Sequence, residues 1–459
     1  MVREMDTIAA VATAMGSSGI GIVRISGEES FQVLRKVFRK NRGGEWDEKD
    51  SHRVHYGFIY DGDEMIDEVL VLVMKGPHSY TAEDTVEIDC HGGILVMKRI
   101  LETVIKNGAR PAEPGEFTKR AFLNGRMDLS QAEAVMDLIN AKNQYAMKSS
   151  ISQLKGKVSE KVRDLRERIL YEIAFIESAL DDPEHISLEG YAGNLREKLE
   201  AMIKEVKKLI DSADNGRVMS EGVKTVIVGK PNAGKSSLMN VLAGTEKSIV
   251  TEIAGTTRDT LEEHIQLHGI SLNVVDTAGI RETEDVVEKI GVSRARSAAS
   301  EADLIIYVVD GSVPLDKNDQ HIMDMIRDRK ALVLLNKTDL DMVVEEEELR
   351  RKTGHRVIKA SAKDETGMEE LEEAVKSMFY EGEIDFNDQV YITNVRHKTA
   401  LTDTYDSLMM VMRSINEGMP EDFFSIDLMN AYERLGTIIG EAVEDDLIYE
   451  IFGRFCMGK

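Results

Sequence analysis

The sequence predicts a multidomain protein of mixed class: an α/β domain inserted into a helical domain, with a strand-rich α+β domain ahead of both. Three observations predict it. The first part of the chain reads as strand-rich, and apolar residues step by three and four in the middle and at the end. Between those helical stretches lie continuous apolar runs, the pattern of strands buried on both faces. The length of 459 residues agrees with two to four domains. A composition of 42% hydrophobic and 31% charged residues supplies material for buried cores.

Residues 1–120 read as strand-rich. Segments 7–13 and 19–25 are strands around a glycine-serine turn, and 68–74 and 84–89 add two more. A helix over 93–107 ends at Asn107-Gly108, and Pro111 and Pro114 forbid its continuation. Residues 121–216 form the first half of a helical domain. Ile151, Leu154, Val158, Val162, Leu165 and Ile169 fall on one stripe of a single long helix. Lys142 to Arg168 holds eight Lys/Arg against three acids, which reads as a solvated helix face rather than an RNA patch. Residues 217–381 alternate strand and helix, with apolar runs at 224–228, 271–275, 304–309 and 331–335 forming a parallel sheet. Residues 382–459 return to helical periodicity and complete the helical domain.

Several function classes are excluded. With a formal net charge of -25, the chain binds no nucleic acid through its overall field. The two cysteines, Cys90 and Cys456, make no disulfide framework or cysteine-based zinc site, and they fit a reducing cytosol. The start lacks the basic and apolar regions of a signal peptide, and no apolar run is long enough to span a membrane.

Chemistry concentrates in the inserted domain. Gly229-Lys-Pro-Asn-Ala-Gly-Lys-Ser236 fits the P-loop pattern between a strand and a helix. Its glycines let backbone N–H groups reach phosphates, with the helix dipole behind them. Lys235 reaches the β- and γ-phosphates and Ser236 ligates Mg²⁺. A chance match in a chain of this length is roughly one or two in a hundred. Three further motifs follow in order. Asp276, Thr277, Ala278 and Gly279 end a strand: Asp276 holds the Mg²⁺ shell, and the Gly279 N–H faces the γ-phosphate. Asn336, Lys337, Thr338 and Asp339 end another. An aspartate there accepts from guanine N1–H and the 2-amino group, two donors that adenine lacks. Ser361, Ala362 and Lys363 complete the base pocket, with the Ala362 N–H aimed at guanine O6. The four motifs together imply GTP binding and hydrolysis. Ile280 stands where small signalling GTPases place a water-orienting glutamine, so another group must orient the water.

Other strings lie outside this domain: Pro77-His-Ser-Tyr-Thr-Ala-Glu-Asp84, Cys90-His-Gly-Gly93, the segment from Glu113 to Arg126, and the tail Cys456-Met-Gly-Lys459. With Gly255-Thr-Thr-Arg-Asp259, they make the whole chain resemble the MnmE/TrmE family of tRNA modification GTPases. The resemblance implies a P-loop GTPase domain inserted into a helical domain and preceded by a folate-binding, dimerising α+β domain. It implies a homodimer that works with an FAD-binding partner, as a heterotetramer, in the cytoplasm. The substrate it implies is tRNA, which gains an aminomethyl or carboxymethylaminomethyl group at C5 of the wobble uridine from a tetrahydrofolate one-carbon unit.

Residue by residue, the resemblance implies GTP contacts from Asn232, Ala233, Gly234, Lys235, Ser236 and Ser237, and from Thr251, Glu252, Ile253, Ala254, Gly255, Thr256 and Thr257. K⁺ is implied at the Asn232 side chain and at Thr251, Ile253 and Thr256, and Mg²⁺ at Ser236 and Thr257. Charge alone leaves Glu282, Glu284, Asp285 and Glu288 as candidates for orienting the attacking water; the resemblance points to Glu288. It also implies folate binding by Arg24, Glu83, Arg126 and Lys459, with Cys456 near the reactive carbon. The chain departs from the family's usual strings at Thr13-Ala-Met-Gly16, Asp89, Ala82, Arg126 and Met457. Ala82 replaces a usual glycine, which matters if that position needs a positive φ. Two other readings compete: a ribosome-assembly GTPase switch and a GTP-dependent scaffold. Both leave the N-terminal strings and the tail unexplained.

Overall fold

A computed structural model describes residues 6–41, 51–244, 262–267, 270–275, 299–300, 302–379, 392–441, 443, 445–456 and 458. The chain divides into two compact units. One comprises Met1–Met136, Gln153–Leu195 and Ser407–Lys459; the other comprises Asp137–Ser152 and Arg196–Asp406.

The first unit is built on a seven-stranded sheet. Its strands are β1 (Ile8–Val11), β2 (Gly21–Ser26), β3 (Phe38–Lys40), β4 (Arg53–Asp61), β5 (Glu64–Met74), β6 (Thr85–Cys90) and β7 (Arg110–Pro111), in the order β3-β4-β5-β6-β2-β1-β7. All pairs are antiparallel except β1 with β7. The helices Ser30–Val37 and Ile94–Lys106 cover one face, where Val23, Ile25, Leu34, Val71, Ile88, Met97 and Ile100 form the core. The latter helix stops as expected. The Asn107 side chain donates to Thr103 O at 2.8 Å, and Gly108 turns the chain at φ 128°.

The sequence reading missed β4. Its apolar residues serve both faces: Ile59 points into the core, while Val54 and Tyr56 are exposed. A signal was present nonetheless, because Asp61-Gly62 with Gly62 at φ 64° is the turn chemistry of a tight hairpin.

The expected single helix through residues 151–169 is two helices, Gln144–Leu154 and Lys157–Asp181. Gly156 breaks it in the left-handed conformation at φ 85°. The apolar period continues across the break, so periodicity alone could not reveal it. The second helix packs along Asp422–Ile439. There Arg166 donates to Tyr432 O at 3.3 Å, lies over the Tyr432 ring, and pairs with Glu441.

The second unit holds a six-stranded sheet of β8 (Val223–Val228), β9 (Glu262–Leu267), β10 (Ile270–Val275), β11 (Leu304–Asp310), β12 (Ala331–Asn336) and β13 (Arg356–Lys359). The order is β13-β12-β11-β8-β10-β9. Five strands run parallel, and β9 adds an antiparallel edge that the sequence reading did not foresee. Both faces are buried. Ile306, Val308, Leu332 and Leu334 enter one core, and Ile305, Tyr307, Val309, Val333 and Leu335 enter the other. This two-sided burial is why β11 and β12 read as unbroken apolar runs. With β10 on one side of β8 and β11 on the other, the loop after β8 opens at a topological switch point, where α/β sheets place ligands. Among the described residues no helix is long and apolar enough to cross a membrane.

Candidate functional site

The loop after β8 is shaped by left-handed residues: Gly229 at φ 156°, Asn232 at φ 63° and Gly234 at φ 101°. A Cβ at Gly229 would lie 2.4 Å from Val308 O, and one at Gly234 2.1 Å from Asn336 Nδ2, so no side chain fits at either position. The helix Lys235–Gly244 follows at once, which leaves its first N–H groups at the mouth of the loop. Lys235 Nζ donates to Gly229 O and Lys230 O, both at 2.8 Å. Asn232, Ser236 and Ser237 are exposed at the mouth, and Ala233 is buried behind it. These residues fit a nucleoside triphosphate, with an exposed hydroxyl at Ser236 and an exposed amide at Asn232 that could each face a cation.

The base pocket sits at the ends of β12 and β13. Asn336 ties it to the loop: its Nδ2 donates to Ala233 O at 2.8 Å, and its Oδ1 accepts from Ala362 N at 3.0 Å. The Ala362 N–H, expected at guanine O6, is thus spent on Asn336 in this structure. Lys337, at φ 66°, pairs with Asp310 at 2.6 Å. Burial pushes the Asp310 carboxyl up, but the Lys337 ammonium and the Ser312 hydroxyl outweigh it and hold Asp310 below the usual range. Thr338 N donates to Ala360 O at 3.1 Å. Asp339 accepts from Ser361 Oγ at 3.0 Å and lies 3.6 Å from Lys363 Nζ. The structure therefore places three of the four predicted motifs, the phosphate loop among them, at the carboxyl ends of β8, β12 and β13 in one sheet. Thr251, Glu252, Ile253, Ala254, Gly255, Thr256, Thr257, Asp276, Thr277, Ala278, Gly279 and Glu288 lie outside the described residues.

The first unit contains a cavity of 430 Å³ lined in part by Asp6, Ala82, Glu83, Arg120 and Asn124. Glu83 accepts from Ser26 Oγ at 2.8 Å and faces Arg120 Nη1 at 3.3 Å. Arg120 is buried, and it also binds Asp6 at 2.7 Å and Glu116 at 3.0 Å. The sequence reading missed Arg120, Asp6 and Asn124. Arg120 stands four residues after Glu116 on the helix Glu116–Leu123, a spacing that reads as an ordinary surface pair.

Arg24 and Arg126 do not line this cavity. They flank Tyr80, with guanidinium carbons 5.3 and 5.0 Å from its ring centroid. Arg24 also pairs with Glu87 at 2.7 Å and donates to Gly458 O at 3.2 Å. That bond docks the C-terminal tail on the sheet. Gly115 N donates to Cys456 O at 3.4 Å, and a Cβ at Gly458 would lie 2.3 Å from Val11 O. Cys456 is exposed, whereas burial pushes the Cys90 thiol up to about 11. Lys459 lies outside the described residues.

Two family models match the chain. One, described as the MnmE helical domain, covers residues 129–456; the other, described as the GTP-binding protein TrmE N-terminus, covers residues 7–126. Among curated proteins, a tRNA modification GTPase MnmE from Lachnoclostridium phytofermentans is 59% identical over 99% of this chain and 100% of its own length. Proteins of the same description from Clostridioides difficile and Alkaliphilus metalliredigens are 47% and 48% identical, each over 99% of both chains.

Proposed function

The chain belongs to the MnmE/TrmE family of tRNA modification GTPases, and from that premise we propose a potassium-dependent reaction cycle that draws one carbon from a tetrahydrofolate. It is a GTP-hydrolysing enzyme of tRNA modification. The proposal adds that, with an FAD-binding partner, it places an aminomethyl or carboxymethylaminomethyl group on C5 of the wobble uridine. It acts as a cytoplasmic homodimer that joins its partner in a heterotetramer.

One observation carries the folate half: Arg24, on the same strand as Ser26, the partner of Glu83, binds the Gly458 carbonyl and shares the Tyr80 ring with Arg126. A pterin offers an amino group and a ring N–H side by side, and Glu83 can accept from both. Arg24, Arg126 and Lys459 suit the carboxylates of a folate tail. Ala82 at φ 61° directs the turn that carries Glu83 into the cavity wall.

In the nucleotide half, Lys235 exchanges its two loop carbonyls for phosphate oxygens when GTP enters. Ser236 and Thr257 would hold Mg²⁺, and Asn232, Thr251, Ile253 and Thr256 would hold K⁺. A bound K⁺ supplies positive charge where negative charge gathers in the transition state. Glu288 orients the attacking water.

Calorimetry with 5-formyltetrahydrofolate tests the folate half. The intact protein binds, and both Glu83→Ala and a variant lacking residues 456–459 bind at least about tenfold more weakly. If both variants bind as tightly as the parent, the N-terminal domain and the tail share no folate pocket.

A further inference from the structure

The phosphate loop is pinned from two directions. Asn336 of the base pocket holds Ala233 O at one end. At the other end Lys230 reaches Asp319 Oδ2 at 2.7 Å and Asp316 Oδ2 at 3.1 Å. The two acceptors of this second anchor belong to no nucleotide motif. Asp316 is the N-cap of the helix Lys317–Ile326, and Asp319 closes its capping box. Asp319 is only 1% exposed, and its Oδ1 accepts from the fully buried Tyr307 hydroxyl at 2.8 Å. Its Oδ2 accepts from Asp316 N at 2.9 Å as well as from Lys230. The acceptor is therefore fixed by β11 and by the helix cap before Lys230 reaches it. Burial pushes the Lys230 ammonium down, but the two carboxylates outweigh it and hold it above the usual lysine range.

We propose that Lys230 is a positioning residue for nucleotide binding, anchoring the front of the phosphate loop to the capped helix Lys317–Ile326. The loop needs such an anchor because three of its residues hold left-handed φ values that a free chain would leave. The Lys230 carbonyl also helps to hold Lys235, so a shift of residue 230 moves the acceptor of the phosphate-binding lysine. The Lys230 side chain points to the helix cap, and the loop's backbone meets the phosphates. An anchored loop presents aligned N–H groups at no further ordering cost, so its loss appears in affinity rather than in the chemical step.

The test uses the full-length protein, a fluorescent GDP analogue for dissociation, and steady-state GTP hydrolysis. Lys230→Met removes the charge at similar length, and Lys230→Arg keeps the charge. Lys230→Met is expected to raise both the GDP dissociation rate and the KM for GTP by about tenfold, with kcat within about twofold of the parent. Lys230→Arg restores most of the loss. Asp319→Asn gives the same KM shift, and the double variant Lys230→Met/Asp319→Asn is no worse than either alone. Should Asp319→Asn fail to fold, the Lys230 pair decides. Unchanged KM and dissociation in Lys230→Met, even with a lower melting temperature, overturns the proposal and leaves a structural ion pair. A fall in kcat at unchanged KM overturns it in favour of direct contact with the reacting groups.

Discussion

Ala82 holds φ 61°, a conformation that costs an L-residue with a Cβ roughly 1–2 kcal/mol and costs glycine almost nothing. The sequence made this position legible because a glycine is usual there in the family. Replacing Ala82 with glycine is expected to stabilise the first unit by about 1 kcal/mol, after the greater entropy of the unfolded glycine is counted. Denaturant titration measures it, and an equal or lower midpoint would show that the turn is not strained at Ala82. Glu288 makes the opposite case, since its role rests on resemblance alone. Glu288→Ala is expected to keep GTP affinity and lose hydrolysis by about a hundredfold or more; retained turnover moves the role to another acid. Arg120 was illegible for a physical reason. A charged residue at helical spacing from Glu116 looks solvated until the tertiary structure brings Asp6 and Glu83 against it. Glu116 itself is buried, and burial pushes its carboxyl up. The Arg110 and Arg120 guanidiniums and the Glu113 N–H outweigh that and hold it below the usual range.

At the scale of elements, strands buried on both faces were the most legible, because nothing polar interrupts β11 or β12. The strand β4 was hidden by exposed Val54 and Tyr56, which blur its alternation. The break between Gln144–Leu154 and Lys157–Asp181 was hidden by a period that survives it, although Gly156 was in plain view. At φ 85° that glycine admits alanine only with strain, while the space itself is adequate, the nearest atom being Gln131 Nε2 at 3.4 Å. Gly156→Ala is therefore expected to destabilise the first unit by about 1 kcal/mol, the strain less the smaller entropy of the unfolded alanine, without a packing clash. Thermal unfolding checks this, and an unchanged melting temperature would mean that the break tolerates a Cβ.

At the scale of the molecule, the sequence reading placed an α/β domain over 217–381 between helical flanks, whereas the second compact unit takes in 137–152 and 196–406. The grouping of residues 137–152 with the second unit was not legible, because it depends on contacts such as Asn143 Nδ2 to Ser271 Oγ at 3.2 Å. The nucleotide motifs and the folate candidates were named from short strings, and the structure adds what strings cannot carry: Arg120 behind Glu83, and the tail bound by Arg24. In the proposed cycle this chain couples GTP hydrolysis to the transfer of a folate-borne carbon onto the wobble uridine. The most direct measurement is mass spectrometry of nucleosides from tRNA incubated with the protein, its FAD-binding partner, GTP, ammonium or glycine as the amine, and methylene-tetrahydrofolate labelled at the one-carbon unit. Label is expected in the C5 substituent of the wobble uridine, in K⁺ but only weakly in Na⁺, and it is lost in Glu83→Ala. A modified uridine that carries no label, or label that appears equally without GTP, would contradict the proposed cycle.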